Sequence, residues 1–139
     1  MPASAEPPAG TALAVGAEAL YLANLLLLPG IAFVGLLALW WYWRERAASP
    51  LAVAHLAQTV SASLWGGLLL VSVNLAILLL GGYHGPHVWV LLILYFTLVH
   101  SILVMFGAYG LAKAMAGQCW RFPLLGRPLP AGCPKAAAP

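Results

Sequence analysis

The segment "LYLANLLLLPGIAFVGLLALWW", Leu20 to Trp41, decides the fold, because it has no charged side chain over the length of a membrane-crossing helix. A helix needs about 20 mainly apolar residues to cross a bilayer. Two similar runs follow, Val60 to Leu80 and Val88 to Leu111. The sequence therefore predicts an all-α integral membrane protein, with three transmembrane helices packed as an antiparallel bundle.

Composition supports the same class. Of the 139 residues, 63% are hydrophobic and 6% are charged, and the mean hydropathy is +0.95. An ordinary soluble domain has about 25% charged residues. The net charge of +3 would suggest nucleic acid in a soluble protein, but here the positions of the charges matter more, and we expect no nucleic-acid partner.

The basic residues predict an orientation. They follow the first and third apolar runs, at Arg44, Arg46, Lys113, Arg121, Arg127 and Lys135. Because cytoplasmic loops carry the excess of Lys and Arg, the C-terminus is predicted to be cytoplasmic and, with three spans, the N-terminus outside. The opening residues lack the basic region of a secretory signal, so the first run is predicted to be retained in a multi-pass protein of the bacterial inner membrane.

The ends of the chain differ in composition from its middle. Residues 1–16 and 128–139 are rich in Ala, Pro and Gly without periodicity, which predicts a disordered arm and a disordered tail around a membrane domain of residues 17–127. Cys119 and Cys133 both fall at the predicted cytoplasmic end, where thiols are kept reduced. We therefore expect no disulfide and no metal site.

The first run contains Pro29 and Gly30 near its middle. Proline inside a helix removes a backbone hydrogen bond and crowds the preceding turn, which predicts a kink, with a functional hinge as the alternative. Ser49 and Pro50 are typical of a helix start, so the second helix is predicted to begin there. After the first run, aromatic residues stand beside arginines, an arrangement typical of an interfacial anchor, at Trp40, Trp41, Arg44 and Arg46.

Small and polar residues form one face of the second helix on a 100° wheel. They are His55, Thr59, Ala62, Ser63, Gly66, Gly67 and Asn74. Such a face predicts close helix packing, with a solute or ion path as the alternative. By depth, Asn24, Asn74 and Tyr95 are predicted to form an interhelical cluster, and Gly107 to belong to a packing face of the third helix.

His100 lies near the middle of the third run, on a predicted face with Thr97, Ser101 and Gly107. An ionisable residue inside a membrane suggests function by default. A neutral His100 bonded to a neighbouring helix is the favoured interpretation, and haem ligation is a weaker one, because His55 lies about 20 Å away along the membrane normal. No other cofactor and no metal are expected, and the loop pair His84 and His87 alone makes a weak metal site.

No acidic residue falls within the three runs, since Glu6, Glu18 and Glu45 all lie outside them. This argues against a proton-coupled transporter, which normally uses membrane-embedded carboxylates or histidines. Phosphate-binding loops, nucleophile elbows and paired carboxylates are also missing from the sequence. We therefore expect no enzymatic activity.

The segment "LAKAMAGQCWRFP", Leu111 to Pro123, follows the third run closely. Lys113 can extend its ammonium to the headgroups, Gly117 can terminate the helix, and Trp120 can lie in the interface. Arg121 can bind a lipid phosphate or a partner's carboxylate. The segment thus predicts docking to lipid or to a partner protein.

Together, this segment and "WRERAASPLAVAHLAQTVSASLW" resemble a family of small bacterial membrane proteins of unknown function, loosely grouped with the Tic-type import components of the chloroplast inner envelope. The shared pattern is Ala-x-Lys-Ala, then Gly, then aromatic, Arg, aromatic and Pro, matched here by Ala112, Lys113, Ala114, Gly117, Trp120, Arg121, Phe122 and Pro123. Gln118 replaces a frequent acidic residue. The resemblance, over about residues 21–127, implies the multi-span topology and no particular chemistry.

The sequence thus favours a non-catalytic membrane protein, an accessory or structural subunit of a larger assembly of respiratory, photosynthetic or secretion type. Its expected partners are membrane lipids and other membrane subunits. The alternatives are a small homo-oligomeric channel or permease around the face of Thr59, Ser63 and Asn74, and a haem-bearing electron-transfer subunit that uses His100.

Overall fold

A computed structural model describes residues 6–46 and 49–134, and these are helical with connecting turns. The helices are α1 (Thr11–Leu26), α2 (Ile31–Trp43), α3 (Pro50–Leu79) and α4 (Val88–Met115). The fold class is therefore all-α, as predicted. Within α4, the turn Tyr95–His100 is π-helical.

The prediction of one continuous first helix was wrong. The chain turns between Leu26 and Ile31, and α2 folds back on α1, so that a Cβ atom on Gly35 would lie 3.7 Å from the Leu20 side chain. In a straight helix these residues would be about 22 Å apart. Pro29 contributes no N–H, and Gly30 adopts φ +83°, a conformation that is open to glycine. These two residues therefore make a turn instead of a kink.

The prediction of three transmembrane helices is not confirmed. Among the described residues, α3 and α4 are the two helices long and apolar enough to cross a membrane. In their most apolar stretches only 22% and 17% of the residues are buried inside the chain. The core helix of a soluble protein would be mostly buried, so these two helices instead turn most of their apolar surface outward.

The starts of α1 and α3 and the end of α4 lie at one end of the molecule. Ser49 begins the approach to α3, as predicted, but its hydroxyl donates to the carbonyl of Ala9 instead of capping its own helix. A Cβ atom on Gly117 would meet the ring of Pro8 at 2.6 Å. Residues 6–10 and 117–134 therefore share one end, whereas the sequence predicted opposite sides for the two termini.

This end is a packed unit, which we call the basal module: α1, α2, residues 50–63 of α3, residues 103–115 of α4 and the C-terminal segment 116–134. Its core joins all of these elements, with fully buried side chains that include Tyr21, Leu36, Leu56 and Phe122. Every residue of α3 from 50 to 63 is buried except Pro50, Val53 and Ala57.

The rest of the two long helices forms a second region, which we call the distal arm: residues 64–102, with the connecting loop 80–87. Here the chain buries only four residues, Gly66, Ile77, Val88 and Tyr95. Large apolar side chains point outward along both helices, such as Val71 at 64% exposure and Trp89 at 71%. The arm therefore has almost no core of its own.

The structured region extends beyond the predicted limits. Helix α1 begins at Thr11, inside the arm predicted to be disordered up to residue 16. Residues 128–134 of the predicted tail are part of the basal module, where the amide of Cys119 donates to the carbonyl of Pro134 at 2.8 Å. Residues 1–5 and 135–139 lie outside the described part of the chain.

Candidate functional site: a buried Glu–His pair and its clamp

The centre of the basal module is an ionisable pair between two helices. Glu18 on α1 and His55 on α3 are both fully buried, and Nδ1 of His55 lies 2.6 Å from Oε1 of Glu18. The other ring nitrogen, Nε2, lies 3.0 Å from the carbonyl oxygen of Gln118. One imidazole therefore connects α1, α3 and the segment after α4.

The hydrogen bonds of His55 fix the number of protons in this pair. A carbonyl oxygen only accepts, so Nε2 must carry a proton and donate it to Gln118. The bond between Nδ1 and the Glu18 carboxyl then needs a further proton, held either by the imidazole or by the carboxyl. Both arrangements are neutral overall, and a buried pair without net charge avoids the large desolvation cost of an isolated ion.

Glu18 is held in a tight and partly unsatisfied environment. It lies on α1, outside the two long helices, and burial raises the pKa of its carboxyl above the usual value, while the hydrogen bond and charge of His55 act in the opposite direction. Its second oxygen, Oε2, has no hydrogen-bond partner among the described residues. A Cβ atom on Gly110 would lie 2.6 Å from Oε2, so Gly110 leaves the space that this carboxyl occupies.

One turn further along α3, Gln58 clamps the C-terminal segment. Its amide nitrogen donates to the carbonyl of Arg127 at 2.7 Å, and its oxygen accepts from the backbone N–H groups of Arg127, at 3.1 Å, and of Phe122, at 3.4 Å. Ser61 adds a bond from its hydroxyl to the carbonyl of Leu125 at 2.8 Å. These side chains replace water as partners of buried backbone groups, which are costly to leave unpaired.

A disulfide closes the same segment, so the prediction of free thiols was wrong. Cys119 and Cys133 are bonded, with Cα atoms 5.8 Å apart. The prediction of free thiols rested on the redox compartment and on a disordered tail at residues 128–139. The segment instead folds back over the start of α3, where the Cys133 sulfur lies 3.8 Å from the carbonyl oxygen of Pro50.

Aromatic rings fill the space between this segment and the helices. Phe122 packs edge-on against Tyr21 with ring centroids 5.6 Å apart, and Trp120 lies 4.8 Å from Tyr109. The hydroxyl of Tyr21 donates to the carbonyl of Leu103 at 3.0 Å. Gly117 ends α4 as predicted, with φ +66° and a bond from the Gln118 amide to the Lys113 carbonyl.

The predicted cluster of Asn24, Asn74 and Tyr95 is not formed. Asn24 lies next to the turn between α1 and α2, and its side-chain oxygen accepts from the amide of Gly30 at 2.9 Å. Asn74 bonds instead to the hydroxyl of Tyr83 and to the carbonyl of Leu70. Asn24 does not have its predicted depth, because the first run is two helices joined by a turn and not one helix centred near residue 30.

The predicted small and polar face of α3 divides between the two regions. His55, Thr59, Ser63 and Gly66 are buried within the chain, and a Cβ atom on Gly66 would lie 3.4 Å from Leu103. Gly67 is exposed and Asn74 is half-buried, both in the distal arm. The hydroxyl of Ser63 has no hydrogen-bond partner among the described residues.

The predicted face around His100 is interrupted by the π-helical turn. The extra residue in this turn rotates the side chains of the following helical residues about the helix axis. The hydroxyl of Ser101 donates to the carbonyl of Phe96, five residues earlier. Gly107 is consequently buried against Tyr21, while Thr97 and Ser101 are exposed. His100 itself is half-buried and contacts the ring of Phe96 at a centroid distance of 5.4 Å.

The predicted interfacial residues all lie at the basal end. The guanidinium of Arg44 lies over Trp40 and Trp41, at 5.3 Å and 4.1 Å from the ring centroids. Arg46 lies 4.4 Å from the ring of Tyr42. Lys113 lies in the last turn of α4, and the half-buried Trp120 and the exposed Arg121 belong to the C-terminal segment.

The sequence predicted His55 on the small and polar face of the second helix, but the other residues of this site were not predicted: Glu18, Gln58, Gly110, Gln118 and Gly126. A Cβ atom on Gly126 would overlap the Gln58 side chain and the Phe122 backbone. One signal was present: polar residues at 55, 58 and 59 share a helix face near the start of an apolar helix. The acidic partner of His55 is Glu18 within the apolar α1, and it was not considered because it lies outside the predicted spans.

Chemically, the pair can hold one proton in an enclosed site, and no described group of three or more His, Cys, Asp or Glu residues could hold a metal ion. The residues around the pair hold α1, α3 and the C-terminal segment together. Comparison of the chain with models of protein families, with curated proteins and with solved structures finds no match. The resemblance to the bacterial family therefore stays a prediction.

Proposed function

We propose that this chain is a non-catalytic integral membrane protein, an accessory subunit whose distal arm packs against helices of other membrane proteins. The basal module holds the arm in place. The proposal is supported first by the two long helices, because their outward-facing apolar surface is what a bilayer accommodates.

The short hairpin of α1 and α2 fits this location. With 16 and 13 residues, the helices are about 24 and 20 Å long, less than the roughly 30 Å hydrocarbon core. The hairpin tip is apolar and exposed, with Leu27 at 76% and Ile31 at 71%. A turn that faces water would be expected to carry polar residues. We therefore place the tip of this hairpin in the bilayer, with the chain entering and leaving on the basal side.

The proposed orientation puts the charged end of the basal module, with the C-terminal segment 116–134, on the cytoplasmic side of a bacterial inner membrane. The cations of the described residues all belong to the basal end, at Arg44, Arg46, Lys113, Arg121 and Arg127, and the positive-inside rule then decides the side. The disulfide favours an oxidising compartment instead. We assign the side from the positions of the charges and not from the disulfide. The contacts of Gln58, Ser61 and Phe122 hold the C-terminal segment in place with or without the disulfide.

The polar surface of the distal arm is the observation that best supports binding to a partner helix. Thr97 is exposed near the middle of α4, and His100 beside it is only half-buried. Ionisable residues such as His100 almost always face another helix or a cavity at this depth, and Thr is enriched where membrane helices contact each other. Within the described chain no helix covers them, so the proposed cover is a helix of a partner.

The homo-oligomeric channel is less well supported, since Thr59 is fully buried and Ser63 is 6% exposed. A pore between copies would need these hydroxyls on the outside of each copy. The haem alternative would require a visible Soret band in the purified protein, which a His100→Leu variant would lose.

The accessory role is tested by purification in mild detergent followed by native mass spectrometry. We expect a co-purifying membrane protein, and we expect Thr97→Phe to reduce its recovery about tenfold by blocking close helix approach. Val71→Phe, which enlarges an exposed apolar residue of α3, is the matched control and should leave recovery unchanged. A wild-type chain that carries only lipid, or equal recovery in both variants, would overturn the proposal.

A further inference from the structure

A groove runs along α4 from the distal arm to the basal end. It has a volume of about 420 Å³ and is lined by Ile102, Met105, Phe106, Tyr109 and Trp120. The α4 residues of this lining recur every three or four positions, so they form one stripe along the helix. The volume falls within the usual range of ligand pockets, about 300 to 1,000 Å³.

A cation without a counter-charge stands at the basal end of this stripe. The ammonium of Lys113 lies 5.4 Å from the centroid of the Tyr109 ring, and it donates to the neutral side-chain oxygen of Gln118 at 3.0 Å. Among the described residues no carboxylate lies within ion-pair distance of it: Glu18 pairs with His55, Glu45 pairs with Arg44, and Glu6 forms no ion pair. Arg121, next to Trp120, is also exposed and lacks a carboxylate partner in that part of the chain.

The groove and the cation together have the shape and polarity of a lipid. From Ile102 to Lys113 the helix rises about 16 Å, which puts an apolar channel along the hydrocarbon and a positive charge at headgroup depth. Long basic side chains at helix ends extend their charge to this level, and aromatic rings favour it as well.

We infer that this groove binds one anionic phospholipid, with an acyl chain against Met105 and Phe106 and its phosphate at Lys113, assisted by Arg121. The inference rests on the proposed membrane location and goes beyond it, because it predicts a choice between headgroups. One cation near an anionic surface contributes about 1 kcal/mol, equivalent to roughly a fivefold preference in affinity.

Trp120 lines the groove and reports on its occupant. The test reconstitutes a variant that keeps Trp120 and replaces the other five tryptophans by Phe, in vesicles of zwitterionic phosphatidylcholine with a minor fraction of brominated phosphatidylglycerol or brominated phosphatidylcholine. We expect stronger quenching of Trp120 by the brominated anionic lipid, with a preference of about fivefold. Lys113→Gln should abolish most of this preference.

Arg127→Gln is the matched control, since it removes an exposed basal cation that does not line the groove, and it should retain the preference. Equal quenching by both brominated lipids in the wild-type background, or equal loss in both charge variants, would overturn the inference. Absence of quenching by either lipid would instead contradict the membrane location itself. If the five-Phe variant does not fold, native mass spectrometry of the wild-type chain and Lys113→Gln, with retained phosphatidylglycerol as the readout, decides the same question.

Discussion

The basal module and the distal arm use the same two helices in opposite ways. In the basal module α3 buries His55, Gln58 and Thr59, and each has a hydrogen-bond partner there. In the arm the same helix exposes Leu68, Val71 and Leu75. The difference indicates that specific polar contacts determine the fold at one end, while the other end depends on helix geometry and on whatever surrounds it. Substitutions in the basal module should therefore lower the free energy of unfolding, whereas substitutions in the distal arm should change the binding of partner helices.

The largest effect should come from separating the buried pair. Glu18→Leu leaves His55 without its partner in an apolar site, and removing one member of a buried pair costs about 3 to 5 kcal/mol. The free energy of unfolding in detergent, from denaturant titration, measures this loss. Glu18→Leu combined with His55→Leu should recover much of it, because no unpaired polar group then remains. A loss below about 1 kcal/mol for the single variant, the value of an ordinary hydrogen bond, would contradict the role of the pair.

The disulfide should rank next. Cys119 and Cys133 are separated by 14 positions, and a closed loop of about 15 residues contributes roughly 3 kcal/mol through the unfolded state. Replacing both by Ser should lower the free energy of unfolding by up to that amount under oxidising conditions. Under reducing conditions wild type and variant should agree. If they differ equally in both conditions, the cysteines act by packing and the covalent bond contributes nothing.

A pair of glycines compares the two regions directly. In Gly110→Ala the new methyl group meets the Glu18 carboxyl, and overpacking of this kind costs about 1 to 3 kcal/mol. In Gly67→Ala the methyl group meets nothing within 4 Å, and alanine should stabilise the helix by about 0.5 to 1 kcal/mol. Thermal unfolding of the two variants should therefore shift in opposite directions. A shift of the same sign would mean that the base is as loosely packed as the arm.

The smallest of these effects is a pH dependence confined to the basal module. The folded pair keeps one proton, and burial raises the pKa of the Glu18 carboxyl, while unfolded Glu and His side chains have both lost theirs above pH about 6.5. Since the folded state then binds more protons, the free energy of unfolding falls as pH rises above neutrality, by at most about 1.4 kcal/mol per pH unit. Glu18→Gln should flatten this slope, and Val71→Ala in the arm should leave it unchanged. An unaltered slope in Glu18→Gln would assign the titration to another group.

Local signals in the sequence were enough to predict much of the helical structure. The uncharged run after Pro50 predicted α3, and Gly117 predicted the end of α4, because helix starts, helix ends and apolar length depend on neighbouring residues. Pro29 and Gly30 were recognised as a break, but whether a break is a kink or a full turn depends on contacts between α1 and α2. Those contacts are not local in sequence.

The candidate site escaped prediction for a related reason. A helical wheel groups His55 with Thr59 on one face, but it does not identify the residue on the opposite helix. The pairing with Glu18 follows from the hairpin of α1 and α2, and the bond to Gln118 follows from the fold of the C-terminal segment. On α4 the wheel also grouped Thr97 with Gly107 on one face, but the π-helical turn separates them, so that Gly107 is buried and Thr97 is exposed.

The common end of the first and last described residues has a consequence for biogenesis. With α1 and α2 returning to the side they started from, the loop 80–87 is the connection among the described residues that the proposed topology passes through the membrane. That loop has no Asp, Glu, Lys or Arg, so it carries no formal charge across the hydrocarbon during synthesis. Helices α3 and α4 can then enter together as one hairpin, and the basal module can assemble afterwards on the side where the ribosome stands.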